Sequence, residues 1–134
     1  MCIRDRIDLT AILNFFASSL GQKILAQPDQ VKREVPFSLL LPAGQLFPDL
    51  AKVSEDILVH GIIDGFLVTP KDVYLFDYKT DYIQAGNAVK EKQLIERYQG
   101  QLNLYAQALV KILKRPVTHK YLYLLRIGKL VELK

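Results

Sequence analysis

Residues 57–80 read ILVHGIIDGFLVTPKDVYLFDYKT, and the fold is decided in this stretch. Its two halves, 57–68 and 72–80, are rich in β-branched and aromatic residues, and the turn-forming segment TPK (69–71) separates them. Such a pattern is typical of two β-strands joined by a short hairpin-like connection. We therefore expect two neighbouring strands at the centre of the chain.

Asp64, Asp77 and Lys79 are the ionisable residues of this stretch that do not fit ordinary strand packing. Asp64 lies inside the first strand between two nearby glycines, and Asp77 and Lys79 lie where the second strand ends. Residues two apart in a strand point to the same side, so Asp77 and Lys79 should project together. A hairpin would place Asp64 and Asp77 on neighbouring strands about 5 Å apart, where two carboxylates repel unless a cation neutralises them.

Two interpretations of these three residues are open. A single strand Asp is most simply a structural residue bonded to the backbone or to a lysine, and Asp77 and Lys79 would then form a salt bridge at the strand end. The pair of Asp residues beside Lys79 indicates instead a hydrolytic metal site. Carboxylates hold hard divalent cations, and a lysine can orient water or neutralise charge on a phosphate. The three residues together favour the metal site.

The flanking segments predict an α/β fold. Apolar periodicity indicates helices over 9–27 and 87–115, strands over 31–41, 117–127 and 130–134, and a loop over 42–56. Pro36 within the first of these strands predicts an edge strand or a bulge. The long second helix should present one apolar stripe: Leu94, Tyr98, Leu102, Tyr105, Leu109 and Ile112. This order of elements predicts a central mixed β-sheet flanked by helices.

Composition narrows the class of protein. The chain has 134 residues, of which 50% are hydrophobic and 24% charged, a profile typical of one globular domain. No apolar run approaches the ~20 residues that span a bilayer, so we expect no membrane association. The single cysteine, Cys2, cannot build a disulfide framework or a cysteine-ligated iron–sulfur cluster, and it suits a reducing cytoplasm.

Charge is distributed unevenly along the chain. Residues 1–56 carry six Lys or Arg against seven Asp or Glu, a balance of −1, whereas residues 57–134 carry twelve against seven, a balance of +5. The second half is therefore a plausible surface for a polyanion such as DNA. A solvated basic face is the simpler alternative.

Three further polar residues are candidates for the site. Gln101 and Tyr105 lie four apart on the long helix and so share a face, where they could reach the sheet or could simply border the core. Glu34 is the only acid in the strand 31–41, and by itself it is better explained as a surface residue paired with Arg33 or Lys32.

In combination, these residues resemble the RecB-family branch of the PD-(D/E)XK nucleases. The resemblance rests on an ordered set of motifs and extends over roughly residues 14–134: REVPF with Glu34, GIIDG with Asp64, FDYKTD with Asp77 and Lys79, and QLNLY with Gln101 and Tyr105. It implies a restriction-endonuclease-like core and a single nuclease domain. The implied activity is metal-dependent hydrolysis of DNA phosphodiester bonds.

The resemblance also implies a role for each residue. Asp64, Asp77 and the backbone carbonyl of Tyr78 would ligate Mg²⁺, or Mn²⁺ in its place, and Lys79 would be the catalytic lysine. Gln101 and Tyr105 would position DNA or groups around the site, and Glu34 would support the metal site. No iron–sulfur cluster is expected.

The implied partners are single strands of DNA from an unwound duplex, helicase domains in the same polypeptide, and the partner protein of a helicase/nuclease complex. The family's usual upstream histidine ligand has no counterpart in residues 1–27, and MCIRDR (1–6) resembles a translated sequencing adapter. We therefore expect an N-terminally truncated fragment, which would be inactive without that ligand. The alternatives are a catalytically silent DNA-binding or docking module, and a stand-alone nuclease of phage or CRISPR-type DNA processing.

Overall fold

A computed structural model describes residues 9–81, 83, 84 and 86–133. Its helices are α1 Leu9–Ala17, α2 Ser19–Ala26, α3 Ala43–Leu46 and α4 Ala88–Leu113. Its strands are β1 Val31–Pro42, β2 Asp56–Val68, β3 Val73–Lys79, β4 His119–Leu124 and β5 Lys129–Leu133. The expectation for residues 1–6 lies outside this part of the chain. The predicted strands and the long helix are thus confirmed, with ends shifted by a few residues.

The five strands form one sheet in the order β1-β2-β3-β4-β5. All neighbours are antiparallel except β3 and β4, which are parallel and are connected through α4. Parallel neighbours need such a crossover because the chain has to return to the same end of the sheet. The prediction of an α/β fold with a mixed sheet flanked by helices is confirmed, as is the edge position of the strand that contains Pro36.

Helices cover both faces of the sheet. On one face, Leu102, Tyr105 and Leu109 of α4 join a core that includes Leu75 of β3 and Leu122 of β4. On the other face, α1 and α2 supply a second core: Phe15, Leu20 and Ile24 pack with Leu67, Tyr74, Phe76 and Tyr123. Leu75 therefore faces α4, and the alternation of side chains along β3 carries Asp77 and Lys79 to the same face.

Helix α4 has defined ends. The side chain of Asn87 accepts a hydrogen bond from the backbone N–H of Lys90, 3.1 Å, and Lys114 ends the helix in a left-handed conformation, φ 59°. Pro116 follows and cannot continue the helix. The predicted apolar stripe is confirmed except at its last member, Ile112, which is half exposed near the C-terminal end of the helix.

The prediction of one helix over 9–27 is wrong. The segment is broken at Ser18 into α1 and α2, which are bent by 75° relative to each other. Ser18 causes the break by capping α2, since its side-chain oxygen accepts a hydrogen bond from the backbone N–H of Gly21, 3.1 Å. The bend lets Phe15 and Ile24 reach the same core, which a straight helix of this length could not do.

The segment 42–56, predicted as a loop, contains α3 and a 3₁₀ turn, Pro48–Leu50. Tertiary contacts hold this short structure, because Ala43 is buried and Gln45 Nε2 donates to Gln107 Oε1 of α4, 2.8 Å. None of the described helices is alone long and apolar enough to cross a membrane; α1 and α2 together have that length and composition, but they are bent.

Candidate active site

Strand β2 is irregular at Asp64. Ile63 and Phe66 both belong to the core beneath α4, although residues three apart in a regular strand point to opposite faces. Opposite this point, Glu34 of β1 has φ 50°, a left-handed conformation that residues other than glycine seldom adopt. The ladder between the two strands omits the Glu34–Asp64 pair, while its neighbours on both sides are paired. Asp64 therefore has no partner in the regular pairing of β1 with β2.

Asp64 and Asp77 meet at the end of the β2–β3 ladder. The last pair of the ladder toward this end is Gly65 with Phe76, and the same register places Asp64 opposite Asp77. Asp64 Oδ2 accepts a hydrogen bond from the backbone N–H of Tyr78, 2.9 Å, so the carboxylate continues the ladder where backbone pairing ends. The expected proximity of the two acids is therefore found.

Asp77 is an ionisable side chain inside the core. Its exposed fraction is 2%, and its Oδ2 has no hydrogen-bond partner of good geometry among the described residues, although Lys79 Nζ lies 3.0 Å away. The pKa of Asp77 is raised from 3.8 to about 7, first because burial disfavours the charged carboxylate and then because Asp64 shares a hydrogen bond with it. The Lys79 ammonium opposes this rise.

Lys79 contacts both the sheet and helix α4. The ion pair with Asp77 confirms the salt bridge that the sequence left open. On its other side, Lys79 Nζ lies 4.4 Å from the centre of the Tyr98 ring, which is within cation–π range. The ammonium is therefore held between a carboxylate and an aromatic face.

Gln101 and Tyr105 lie on the face of α4 that covers these residues. Gln101 Nε2 donates to Tyr105 Oη, 3.0 Å, while Gln101 Oε1 is buried without a partner among the described residues. The pKa of Tyr105 is raised, chiefly by burial and next by the charge on Asp77. The structure thus brings both helix residues to the carboxylate pair, and their predicted roles toward DNA stay predictions.

Glu34 lies close to Asp64 but lines a cavity that does not include Asp77 or Lys79. Together with Arg33, Asp64 and Tyr78 it lines this open cavity of about 440 Å³. Burial raises the pKa of Tyr78 to about 12, and the neighbouring Arg33 opposes the rise. Glu34 is exposed, and its support of the metal site stays a prediction.

Sequence reasoning missed two residues of this site, Tyr98 and Asp81. Tyr98 was predicted only as part of the apolar stripe, yet its hydroxyl donates to both carboxylate oxygens of Asp81, 2.9 and 3.0 Å. Asp81 continues the two-residue alternation of Asp77 and Lys79, and that spacing was the available signal. The contact with Tyr98 has no local signal, because seventeen residues separate the two side chains.

The donor set of the site consists of the two carboxylates of Asp64 and Asp77. No group of three or more His, Cys, Asp or Glu side chains that could hold a metal occurs in the described part of the chain. Asp64 and Asp77 are nevertheless close enough to interact electrostatically, and among the described residues the buried Asp77 Oδ2 has only the Lys79 ammonium beside it, so a divalent cation could neutralise both carboxylates. Mg²⁺ is commonly held by one or two carboxylates together with water and substrate phosphates, so the pair fits it.

The architecture and the site together indicate the class of fold to which the chain belongs. An α/β chain whose five-stranded mixed sheet carries helices on both faces, with two carboxylates and a lysine where the pairing of β2 with β3 ends, is consistent with a restriction-endonuclease-like core. No family model matches the chain.

Individual curated proteins are nevertheless similar in sequence to this chain. The chain is 55% identical over 130 residues to a protein of Levilactobacillus brevis named as the A subunit of an ATP-dependent helicase/nuclease, a match that covers 96% of this chain and 10% of that protein. Proteins of the same name from Pediococcus pentosaceus and Enterococcus faecalis are 53% and 36% identical over 132 residues, and each match covers 98% of this chain. The chain spans about a tenth of the length of these curated relatives.

Proposed function

We propose that this chain is the C-terminal nuclease domain of an AddA (RexA) protein, the large helicase/nuclease polypeptide of its complex, and a RecB-family PD-(D/E)XK nuclease. The observation that carries the proposal is the facing pair Asp64 and Asp77, of which Asp77 is buried, with Lys79 Nζ 3.0 Å from Asp77 Oδ2. The relatives are named as subunits of a helicase/nuclease, which agrees with the proposal. The reaction is hydrolysis of DNA phosphodiester bonds.

The proposed chemistry assigns a task to each side chain. Asp64 and Asp77 would hold Mg²⁺, or Mn²⁺, with the Tyr78 carbonyl as a further ligand, and the bound ion would supply Lewis-acid stabilisation of negative charge on the phosphate. Lys79 would orient the attacking water or neutralise charge that develops on the phosphate oxygens. Gln101 and Tyr105, which form one hydrogen-bonded unit on α4, would position the DNA strand.

The proposed substrate is single-stranded DNA delivered by helicase domains of the same polypeptide. The polypeptide would act in double-strand-break repair and recombination, within a complex that also contains an AddB (RexB)-like partner. The positive balance of residues 57–134 supports contact with a polyanion. The cavity lined by Arg33 and Asp64 provides an open approach for a phosphate backbone.

The proposal is tested by Asp77→Ala and Lys79→Ala in the polypeptide encoded by the complete open reading frame that contains this chain, called here the complete gene product. Each change should reduce Mg²⁺-dependent cleavage of single-stranded DNA by at least about a hundredfold, because each removes charge from the reacting centre. ATP-dependent unwinding should be unchanged. Cleavage is measured on end-labelled DNA in the presence of Mg²⁺ and in the presence of EDTA.

Asp72→Ala is the matched control, since Asp72 immediately precedes β3 at the opposite end from Asp77. Cleavage that persists in the Asp77 and Lys79 variants contradicts the assignment. Salt-sensitive DNA binding by a complete gene product that does not cleave DNA would identify a silent binding module. A complete reading frame without helicase motifs would identify a stand-alone nuclease.

A further inference from the structure

We propose that Tyr98, fixed by Asp81, is a positioning residue that holds the Lys79 ammonium at the reacting centre. This inference rests on the proposed nuclease function, because it assigns a catalytic role to Lys79. It concerns how the lysine is kept in place when the attraction of Asp77 for the ammonium is weakened.

The geometry forms a chain of contacts from the sheet to the helix. Lys79 Nζ lies 4.4 Å from the Tyr98 ring centre, and the Tyr98 hydroxyl donates to both oxygens of Asp81, 2.9 and 3.0 Å. Asp77 and Lys79 share one face of β3, Asp81 follows two residues after the strand ends, and Tyr98 of α4 contacts both Lys79 and Asp81. The ring is therefore anchored at its hydroxyl end and presents its face to the ammonium.

A lysine needs such a second contact because its side chain is a flexible four-carbon stem with a compact charge. The charge of Asp77 attracts Lys79 strongly only while that carboxylate is free. Once a divalent cation neutralises Asp77, the attraction weakens, since two cations then compete for one carboxylate. The Tyr98 ring carries no net charge to be neutralised, and it continues to attract the ammonium through its electron-rich face.

The hydroxyl contact explains why a tyrosine suits this position. Asp81 accepts the Tyr98 proton in a hydrogen bond and so fixes the angle of the ring. Arg97 NH1 lies 3.5 Å from Asp81 Oδ2, but its side chain is mostly exposed, so this ion pair is a weak addition. The Arg97 guanidinium also lies over the Tyr98 ring, 5.9 Å from its centre, farther than Lys79 Nζ at 4.4 Å. Tyr98 and Asp81 are therefore expected to act as one unit, to which Arg97 adds a weaker contact.

The kinetic test uses four single variants of the complete gene product, Tyr98→Leu, Tyr98→Phe, Asp81→Ala and Arg97→Ala, and the double variant that combines Tyr98→Phe with Asp81→Ala. Tyr98→Leu removes the ring face and should lower kcat for single-stranded DNA roughly two- to thirtyfold, the ratio that corresponds to one cation–π contact, with KM changed less than about twofold. Tyr98→Phe and Asp81→Ala remove the same hydrogen bond. Each should give a smaller loss, and the double variant should be no worse than either single one. Arg97→Ala should lower kcat less than Tyr98→Leu does, because the Arg97 side chain is mostly exposed.

A second readout does not depend on activity. In the chain of residues 1–134 alone, the ε-methylene protons of Lys79, assigned by their absence in Lys79→Arg, should resonate upfield of the other lysines because they lie over an aromatic ring. The upfield shift should persist when Mg²⁺ is added and in Tyr98→Phe, and it should be lost in Tyr98→Leu. Circular dichroism of each variant reports whether it is folded.

The outcomes separate this inference from the proposed function. A wild-type complete gene product that does not cleave DNA overturns both. If wild type cleaves, the inference is overturned by a Tyr98→Leu variant with wild-type kcat, by a change confined to KM, or by a Lys79 signal that shows no upfield shift. Should Tyr98→Leu fail to fold, the double variant Tyr98→Phe with Asp81→Ala shows whether Tyr98 and Asp81 act together. A kcat lower than that of either single variant would mean that they do not. Persistence of the shift in Mg²⁺ then decides whether the ring retains the lysine.

Discussion

Asp77 combines two properties that oppose each other in a folded protein, an ionisable carboxyl group and an exposed fraction of 2%. Burial penalises its charged form, and the nearby Asp64 adds to the penalty, so the folded chain binds a proton at this position more tightly than the unfolded chain does. A buried group of this kind beside a lysine is typical of functional sites, where electrostatics is arranged for chemistry rather than for stability.

The raised pKa of Asp77 predicts how stability depends on pH. Because its pKa is about 7 when folded and 3.8 otherwise, the proton that stabilises the folded state is lost as pH rises. The contribution of Asp77 to the free energy of unfolding should therefore decrease between about pH 4 and pH 7 and then level off. Asp77→Asn should remove that contribution.

Urea denaturation of the 1–134 chain in EDTA, at several pH values from about 4 to about 8, measures this effect. The informative quantity is the difference between wild type and Asp77→Asn, since the other carboxyl groups titrate in both. A difference that does not vary with pH would mean that Asp77 ionises normally in the folded chain.

At the scale of single elements, the break between α1 and α2 shows how a local contact shapes the fold. A Cβ atom built on Gly21 would lie 2.0 Å from the backbone oxygen of Phe15 and 2.6 Å from Cα of Phe16. No side chain can be accommodated against that backbone without movement. Glycine at this position, together with the Ser18 cap, therefore permits the bend that brings both helices onto the sheet.

Gly21→Ala should reduce the free energy of unfolding by about 1–3 kcal/mol, because the methyl group forces the two helices apart. Gly100→Ala is the matched control: Gly100 lies within α4 and a Cβ there would meet nothing within 4 Å. It should stabilise the chain by about 0.5–1 kcal/mol through helix propensity. Chemical denaturation of both variants measures the contrast, and equal effects of the same sign would contradict the close approach of α1 to α2.

At the scale of the whole molecule, the sheet is covered unevenly. The outer part of the β1–β2 hairpin leaves apolar side chains exposed on the face away from α4. Leu40 and Leu58 are opposed across the two strands there, and Ile62 lies further along β2. Strand β1 is also at the edge of the sheet, where its unpaired backbone N–H and C=O groups can pair with a strand of another chain. An apolar patch beside a free edge is a typical site of association.

The 1–134 chain should therefore self-associate as its concentration rises, and Leu58→Lys should reduce this association. The thermal midpoint should hardly change, since Leu58 is 55% exposed and contributes little to the core. Val89→Lys is the control, because Val89 is 70% exposed but lies at the start of α4, away from the hairpin. Sedimentation velocity at several concentrations measures the effect. Equal sedimentation of wild type and Leu58→Lys would show that the hairpin face does not mediate association.

Much of the site could be predicted from short-range pattern. The two-residue alternation of a strand places Asp77 and Lys79 on one side, and a hairpin places Asp64 beside them, because both rules depend only on neighbouring residues. The four-residue spacing of Gln101 and Tyr105 likewise follows from helix geometry, and the two are hydrogen bonded. Their functional roles remain predictions.

Apolar periodicity was thus sufficient to predict the α/β class, the five strands and the long helix. The spacing of apolar residues indicates which face of each element is buried. It could not predict the bend at Ser18, the short helix α3 or the irregularity of β2 at Asp64, because each depends on contacts with residues distant in the sequence. The placement of Tyr98 between Lys79 and Asp81 is of the same kind. Only the packing of α4 across the end of β3 brings that ring to the lysine.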